Sequence, residues 1–128
     1  MSSNATYFGR FLQQKREERK ITLRKMAELL GFSAPFLSDV EKDRRNPPDF
    51  EKMAQIAEIL ELSILERETM YDLAGKKRGS VPPDLPEYIM SHDYVIKALR
   101  IARDSGAGEE EWLKFINSLK HADSGWSE

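Results

Sequence analysis

Between Thr22 and Lys42 the chain must fit two helices and the turn joining them into about twenty residues, and that spacing constrains the fold more than any other feature. Thr22 can cap a helix over Leu23-Arg24-Lys25-Met26-Ala27-Glu28-Leu29-Leu30, because its hydroxyl accepts one of the amide hydrogens that a helix start leaves unpaired. Gly31 is the expected stop, since glycine turns left-handed without a Cβ penalty. Ser33 can then cap a second helix, Ala34 to Lys42, with Pro35 in the first turn where its missing N–H does no harm. A connection this short cannot make a long hairpin, so the two helices must cross steeply. Met26, Leu30, Phe36, Leu37 and Val40 face the shared core, and Ala27 is small because a longer side chain would hold the crossing helices apart.

Helical periodicity continues on both sides. Tyr7 to Lys20 places Phe8, Phe11 and Leu12 on one stripe, with Thr6 as the expected cap. Asp43-Arg44-Arg45-Asn46-Pro47-Pro48 is a polar loop whose prolines cannot extend the preceding helix. Asp49 caps an amphipathic helix carrying Phe50, Met53, Ile56, Ala57 and Leu60. Leu62, Leu65, Met70, Tyr71, Leu73 and Ala74 indicate a fifth helix ending at Gly75. The expected fold is therefore all-α, with a five-helix domain over residues 6–75 and a two-helix C-terminal extension.

Residues 76–86 are basic, then proline-rich, and are expected to form a semi-rigid linker. The extension, 87–121, holds two helical candidates, Tyr94 to Arg103 and Glu109 to Lys120, broken by Gly106-Ala107-Gly108. Glu109, Glu110 and Glu111 sit at the positive end of the second. Residues 122–128 are expected to be a disordered tail. The apolar faces of the extension, with Val95 and Leu99 on one helix and Trp112 and Ile116 on the other, are too short to make a domain alone. They need to pack on a second copy, on the same chain or on another protein.

Charge and composition narrow the function classes. Net charge is −2, but residues 1–78 carry 15 Lys and Arg against 13 Asp and Glu, whereas residues 79–128 carry 5 against 9. The front is mildly basic, and screening confines the influence of the acidic back to about 8–10 Å. The absence of cysteine excludes disulfides, thiolate metal sites and cysteine nucleophiles, and fits a reducing cytosol. His92 and His121 are too few and too far apart in sequence for a metal cluster. No Gly-rich phosphate loop and no Ser/His/Asp arrangement appears, so a non-enzymatic protein without cofactor or metal is expected. No apolar run approaches the ~20 residues of a membrane span, and Met1–Ala5 lacks the basic-then-apolar pattern of a secretory leader. A cytoplasmic location is expected.

Thr22, Met26-Ala27, Leu29-Leu30-Gly31-Phe32-Ser33, Phe36-Leu37-Ser38, Val40-Glu41 and Arg45-Asn46-Pro47 together resemble the lambda-repressor-like (Cro-type, XRE) helix-turn-helix family. The family's alanine, turn glycine, opening serine and closing glutamate are all present in register. The resemblance covers about residues 6–75 and implies that the helix opening at Ser33 lies in the DNA major groove. It implies base contacts from Ala34, Pro35, Ser38 and Asp39. Ser38 can donate or accept, Ala34 and Pro35 can meet a thymine methyl, and Asp39 can accept from a cytosine amino group. Asp39 could instead face solvent or pair with Lys42 or Arg44. Phosphate contacts are expected from Thr22, Arg24, Ser33, Lys42, Arg44, Arg45 and Asn46. The family often joins its first helix to the end of the recognition helix by an Arg–Glu pair, and Arg16 and Glu41 occupy those positions as a structural ion pair. The sequence departs from the family at Leu23, where a glutamine is usual, and its recognition helix lacks a bidentate Gln, Asn or Arg.

The resemblance implies sequence-specific binding of double-stranded DNA and a transcriptional repressor, with residues 87–121 supporting a homodimer on a palindromic operator. Two other functions fit the same residues. One is an antitoxin whose C-terminal segment covers a toxin; the other is a protein-interaction module on a helix-turn-helix scaffold.

Overall fold

The computed structural model describes residues 7–126, with side-chain surroundings up to residue 122. Among them the elements are all helical: α1 Phe8–Glu18, α2 Leu23–Leu30, α3 Ala34–Glu41, α4 Phe50–Ile59, α5 Ile64–Arg78, α6 Pro86–Met90, α7 Asp93–Ser105 and α8 Glu109–Trp126. They form two compact units, divided between Glu87 and Tyr88.

The starts of the middle helices are written in single side chains. Thr22 Oγ1 accepts from Lys25 N at 3.0 Å, Ser33 Oγ from Phe36 N at 3.2 Å and Asp49 Oδ1 from Lys52 N at 2.9 Å. Each satisfies an amide left over at a helix start, a contribution of about 1 kcal/mol apiece. Ser63 and Glu66 cap one another reciprocally at the start of α5. Gly31 has φ 75°, so α2 ends where the sequence placed its stop. α1 is capped by the backbone of Tyr7 without a side-chain bond, and the expected cap Thr6 lies outside the described residues.

α3 packs against α1 and α2, α1 against α5, and α2 against α4. The core inside this first unit includes Phe8, Leu12, Met26, Leu30, Leu37, Val40, Met53, Ile56, Leu60 and Met70. Phe36, expected in that core, is half-buried and packed on its edge. α1 comes close to the end of α3 at Gly9, where a Cβ would lie 2.3 Å from Val40 O and 2.4 Å from Glu41 O. Only a residue with no side chain fits there.

Several sequence boundaries shift. α5 does not stop at Gly75 but runs on to Arg78 and is closed by Gly79, with φ 70°. Gly75 serves close packing instead: a Cβ there would meet Ser80 O at 2.8 Å and Pro82 N at 3.0 Å, where the chain folds back. Lys76, Lys77 and Arg78 are thus the last turn of a helix, where the dipole favours cations, and the linker expected over 76–86 is shorter. Leu65 projects outward, 73% exposed, while Leu62 is buried just ahead of the helix. Lys42 caps α3 from outside its end.

α6, a short turn that the sequence did not announce, spans the division between the units, and in the second unit α7 is longer than expected at both ends. α8 continues to Trp126, through most of the span expected as a disordered tail at 122–128. Residues 119–124 contain neither proline nor glycine, so nothing in them interrupts the hydrogen-bond ladder. Residues 127–128 lie outside the described residues. No described residue of this unit is buried; Leu99, Trp112 and Ile116 are exposed and Val95 half-buried.

Candidate nucleic-acid interface

α3 is fixed from behind and open in front. Behind it, Arg16 of α1 grips Glu41 at the helix's last residue through two parallel bonds, Nε to Oε2 at 2.7 Å and Nη2 to Oε1 at 3.0 Å. A third bond runs from Arg16 Nη1 to Ile21 O at 2.9 Å, the residue just before the cap of α2. Arg16 is 8% exposed and Glu41 4%, so the pair is buried with its donors and acceptors used. The hydrogen bond to Glu41 raises the Arg16 pKa above its ordinary value, against the opposing effect of burial. Such a bidentate pair fixes an angle more than it adds net stability. Together with the bare approach at Gly9 it sets the pose of α3 on the domain.

In front, Ser33 and Pro35 are exposed, and Ala34, Ser38 and Asp39 are half-exposed along α3. The Ser33 and Thr22 hydroxyls are engaged as helix caps, so what these two positions offer an anion is chiefly their helix-start amides. Arg24 is exposed in the first turn of α2. Leu23, where the family usually has glutamine, is half-buried and packed against the core. Asp39 is not isolated: its Oδ1 lies 3.6 Å from Arg44 Nη1.

After α3 the chain turns at Asp43, with φ 65°, and Arg44 N donates to Asp39 O at 2.8 Å. Lys42, Arg44, Arg45 and Asn46 follow one another on the exposed side of this turn. Arg45 rests on the ring face of Phe36, its guanidinium carbon 4.9 Å from the centroid. Pro47 is buried and anchors the far end of the loop.

Two residues that sequence reasoning assigned to the linker turn out to brace this loop. Lys77 Nζ lies 3.1 Å from Asp43 Oδ1 and 3.3 Å from Asp43 O. Arg78 Nη2 donates to Pro47 O at 2.5 Å and to Pro48 O at 2.9 Å. The signal was there: a basic run followed by glycine is a helix end as much as a linker. Gly75, four residues earlier, masked it.

Val95, Leu99, Trp112 and Ile116 all fall on α7 and α8 of the second unit, with Trp112 edge-on to Phe115 at 6.2 Å between centroids. Among the described residues no group of three His, Asp or Glu could hold a metal ion, and no helix is long and apolar enough to cross a membrane.

Residues 9–74 match a family described as "Helix-turn-helix domain". Two curated relatives, each named an uncharacterized HTH-type transcriptional regulator and drawn from two strains of Mycobacterium tuberculosis, are 37% identical over 67 residues. That stretch is 52% of this chain and 45% of theirs, so the match spans less than half the length of the relatives. Among solved structures, a chain of a SinR protein/SinI protein complex aligns over 91% of this chain and 98% of its own, at 21% identity and a TM-score of 0.44.

Proposed function

The chain belongs to the helix-turn-helix domain family, of the lambda-repressor-like type, and from that premise we propose that it binds double-stranded DNA sequence-specifically and represses transcription as a cytoplasmic homodimer. The observation that carries the proposal is the contrast between the two sides of α3. Its back is locked by Arg16, Glu41 and Gly9, while its front and the cationic turn after it stay open. A rigid helix presenting Ala34, Pro35, Ser38 and Asp39 suits the major groove. Thr22, Arg24, Ser33, Lys42, Arg44, Arg45 and Asn46 flank it as phosphate contacts, which set affinity and orientation without reading sequence. Asp39, free to leave Arg44 when that arginine meets a phosphate, is the residue suited to accept from cytosine.

The homodimer is assigned to α7 and α8. Leu99, Trp112 and Ile116 are exposed there with no buried residue beneath them among those described, which favours a protein partner for this face. A second copy is the partner that would place two recognition helices on one duplex, about 34 Å apart.

Selection of bound sequences from random duplexes, with sedimentation of the same protein, tests both parts. The expected outcome is an enriched palindrome and a dimer that Leu99→Glu with Ile116→Glu converts to monomer. Arg44→Ala or Arg45→Ala is expected to weaken binding equally on all sequences, and Ser38→Ala or Asp39→Asn to change the preferred one. A chain indifferent to every duplex in dilute buffer would overturn the DNA reading. A small protein that co-purifies on α7 and α8 would replace the homodimer with an antitoxin.

A further inference from the structure

The geometry points to Lys77, in the last turn of α5, as a ligand for a DNA backbone phosphate, with Asp43 as the counter-charge that holds it in place. This rests on the DNA-binding reading above and extends the interface from α2 and α3 to α5, a helix the sequence assigned no part in it. Four groups converge on one open recess after α3: Arg44, Arg45, Asn46 and Lys77, with the Phe36 ring as its wall. Three of them are cations. Lys77 keeps 28% of its side chain exposed and its partner Asp43 39%, so the ion pair faces solvent on the same side as the loop arginines.

Stability does not account for this arrangement. An ion pair between exposed side chains adds little to folding, because water screens it and two long side chains must be ordered to make it. Nor does the backbone require an aspartate at 43, since its left-handed φ of 65° suits asparagine equally well. A carboxylate in a loop that faces phosphates is a cost to binding, and a lysine 3.1 Å away offsets it. With Asp43 Oδ1 and Asp43 O each taking one of the lysine's three N–H donors, the third remains available to an anion in the recess. Its position is not left to a flexible stem alone. The neighbouring Arg78 ties the end of α5 to the loop through the Pro47 and Pro48 carbonyls, so helix and loop hold a fixed spacing.

The sign of two substitutions separates phosphate binding from loop bracing. The probe is a mixed-sequence duplex of about 30 base pairs, a length near three helical turns, titrated with the full chain across a salt series. If Lys77 meets a phosphate, Lys77→Gln weakens binding roughly three- to ten-fold and makes the slope of log K against log salt shallower by about 0.9. Asp43→Asn then tightens binding, the double variant returns towards the wild-type value, and Lys77→Arg keeps both affinity and slope. Unfolding midpoints of all four are expected to stay close to wild type, which shows that the loss is not one of folding. If the pair only braces the loop, Lys77→Gln and Asp43→Asn both weaken binding and leave the slope alone, and the inference fails. It fails too, with the interface on α2 and α3 intact, if the wild type binds the duplex and Lys77→Gln binds it equally well. A wild type that ignores the duplex overturns the DNA-binding reading itself.

Discussion

The two units of this chain use the same kind of amphipathic helix to opposite ends. The first turns its apolar stripes inward, closes them over Met26, Leu37, Met53 and Met70, and even buries a charged pair, Arg16 with Glu41. The second, of similar hydrophobic composition along α7 and α8, buries nothing among its described residues. Five helices packed on one another can enclose a common centre; two helices cannot. A rigid domain suits the reading of a duplex, and an open apolar face suits a partner.

Three sets of substitutions press on that difference, and the largest effect is expected at the buried pair. Glu41→Gln leaves Arg16 buried beside an acceptor without charge and is expected to lower the unfolding free energy of the first unit by about 3–5 kcal/mol. Replacing both partners by apolar residues, Arg16→Met with Glu41→Leu, is expected to restore most of it while weakening duplex binding, since the pair orients α3. Denaturant unfolding with a parallel titration of DNA measures both. A double variant that binds DNA as wild type does would show that the angle of α3 is set elsewhere.

Next come matched glycines, one in each unit. Gly9→Ala drives a methyl into the carbonyls of Val40 and Glu41, and a loss of about 1–3 kcal/mol is expected, as for overpacked cores. Gly108→Ala meets only Glu111 Oε1 at 3.6 Å, an ordinary contact, and is expected to change stability by less than about 1 kcal/mol. Equal effects at the two sites would mean that the approach of α1 to α3 relaxes readily.

The smallest effect is a pH dependence, again paired across the units. Glu66 and Glu111 both have pKa values lowered from the usual carboxylate range, each first of all by a backbone N–H, that of Ser63 for Glu66 and that of Gly108 for Glu111. Glu66 also accepts from Lys15 Nζ at 3.0 Å, across 51 residues of chain, whereas Glu111 is bound only within its own helix start. A carboxylate whose pKa is depressed by folding contributes stability above its unfolded value, and that contribution drains away as the pH falls through the folded value. Acidification below about 4.5 is therefore expected to weaken the tertiary fold of the first unit through Glu66. Glu66→Gln is expected to flatten that acid limb. Glu111→Gln is expected to change only the helicity of α8, seen by circular dichroism.

Much of the fold could be read before any coordinates. Thr22, Gly31, Ser33 and Asp49 act within a few residues of themselves, so their signals survive in sequence, and three helix starts and the turn fell where those residues stand. Gly75 shows the limit. A glycine late in a helical pattern can end the helix or admit a passing chain, and the returning Ser80–Pro82 segment decided for the second. With that one reading, Lys77 and Arg78 moved from linker to the flank of the candidate site. Gly9 gave no sequence signal, because its reason lies 31 residues away in the Val40 carbonyl.

The sequence by itself determined the short-range decisions: which residues start and stop helices, which stripes are apolar, and that two helices must cross within one tight turn. Tertiary structure alone decided that Lys77 meets Asp43 and Lys15 meets Glu66, because these groups are matched by distance in space, and no local periodicity encodes that. Helix propensity and capping act over one or two turns, whereas the geometry of a recess depends on where whole helices come to rest.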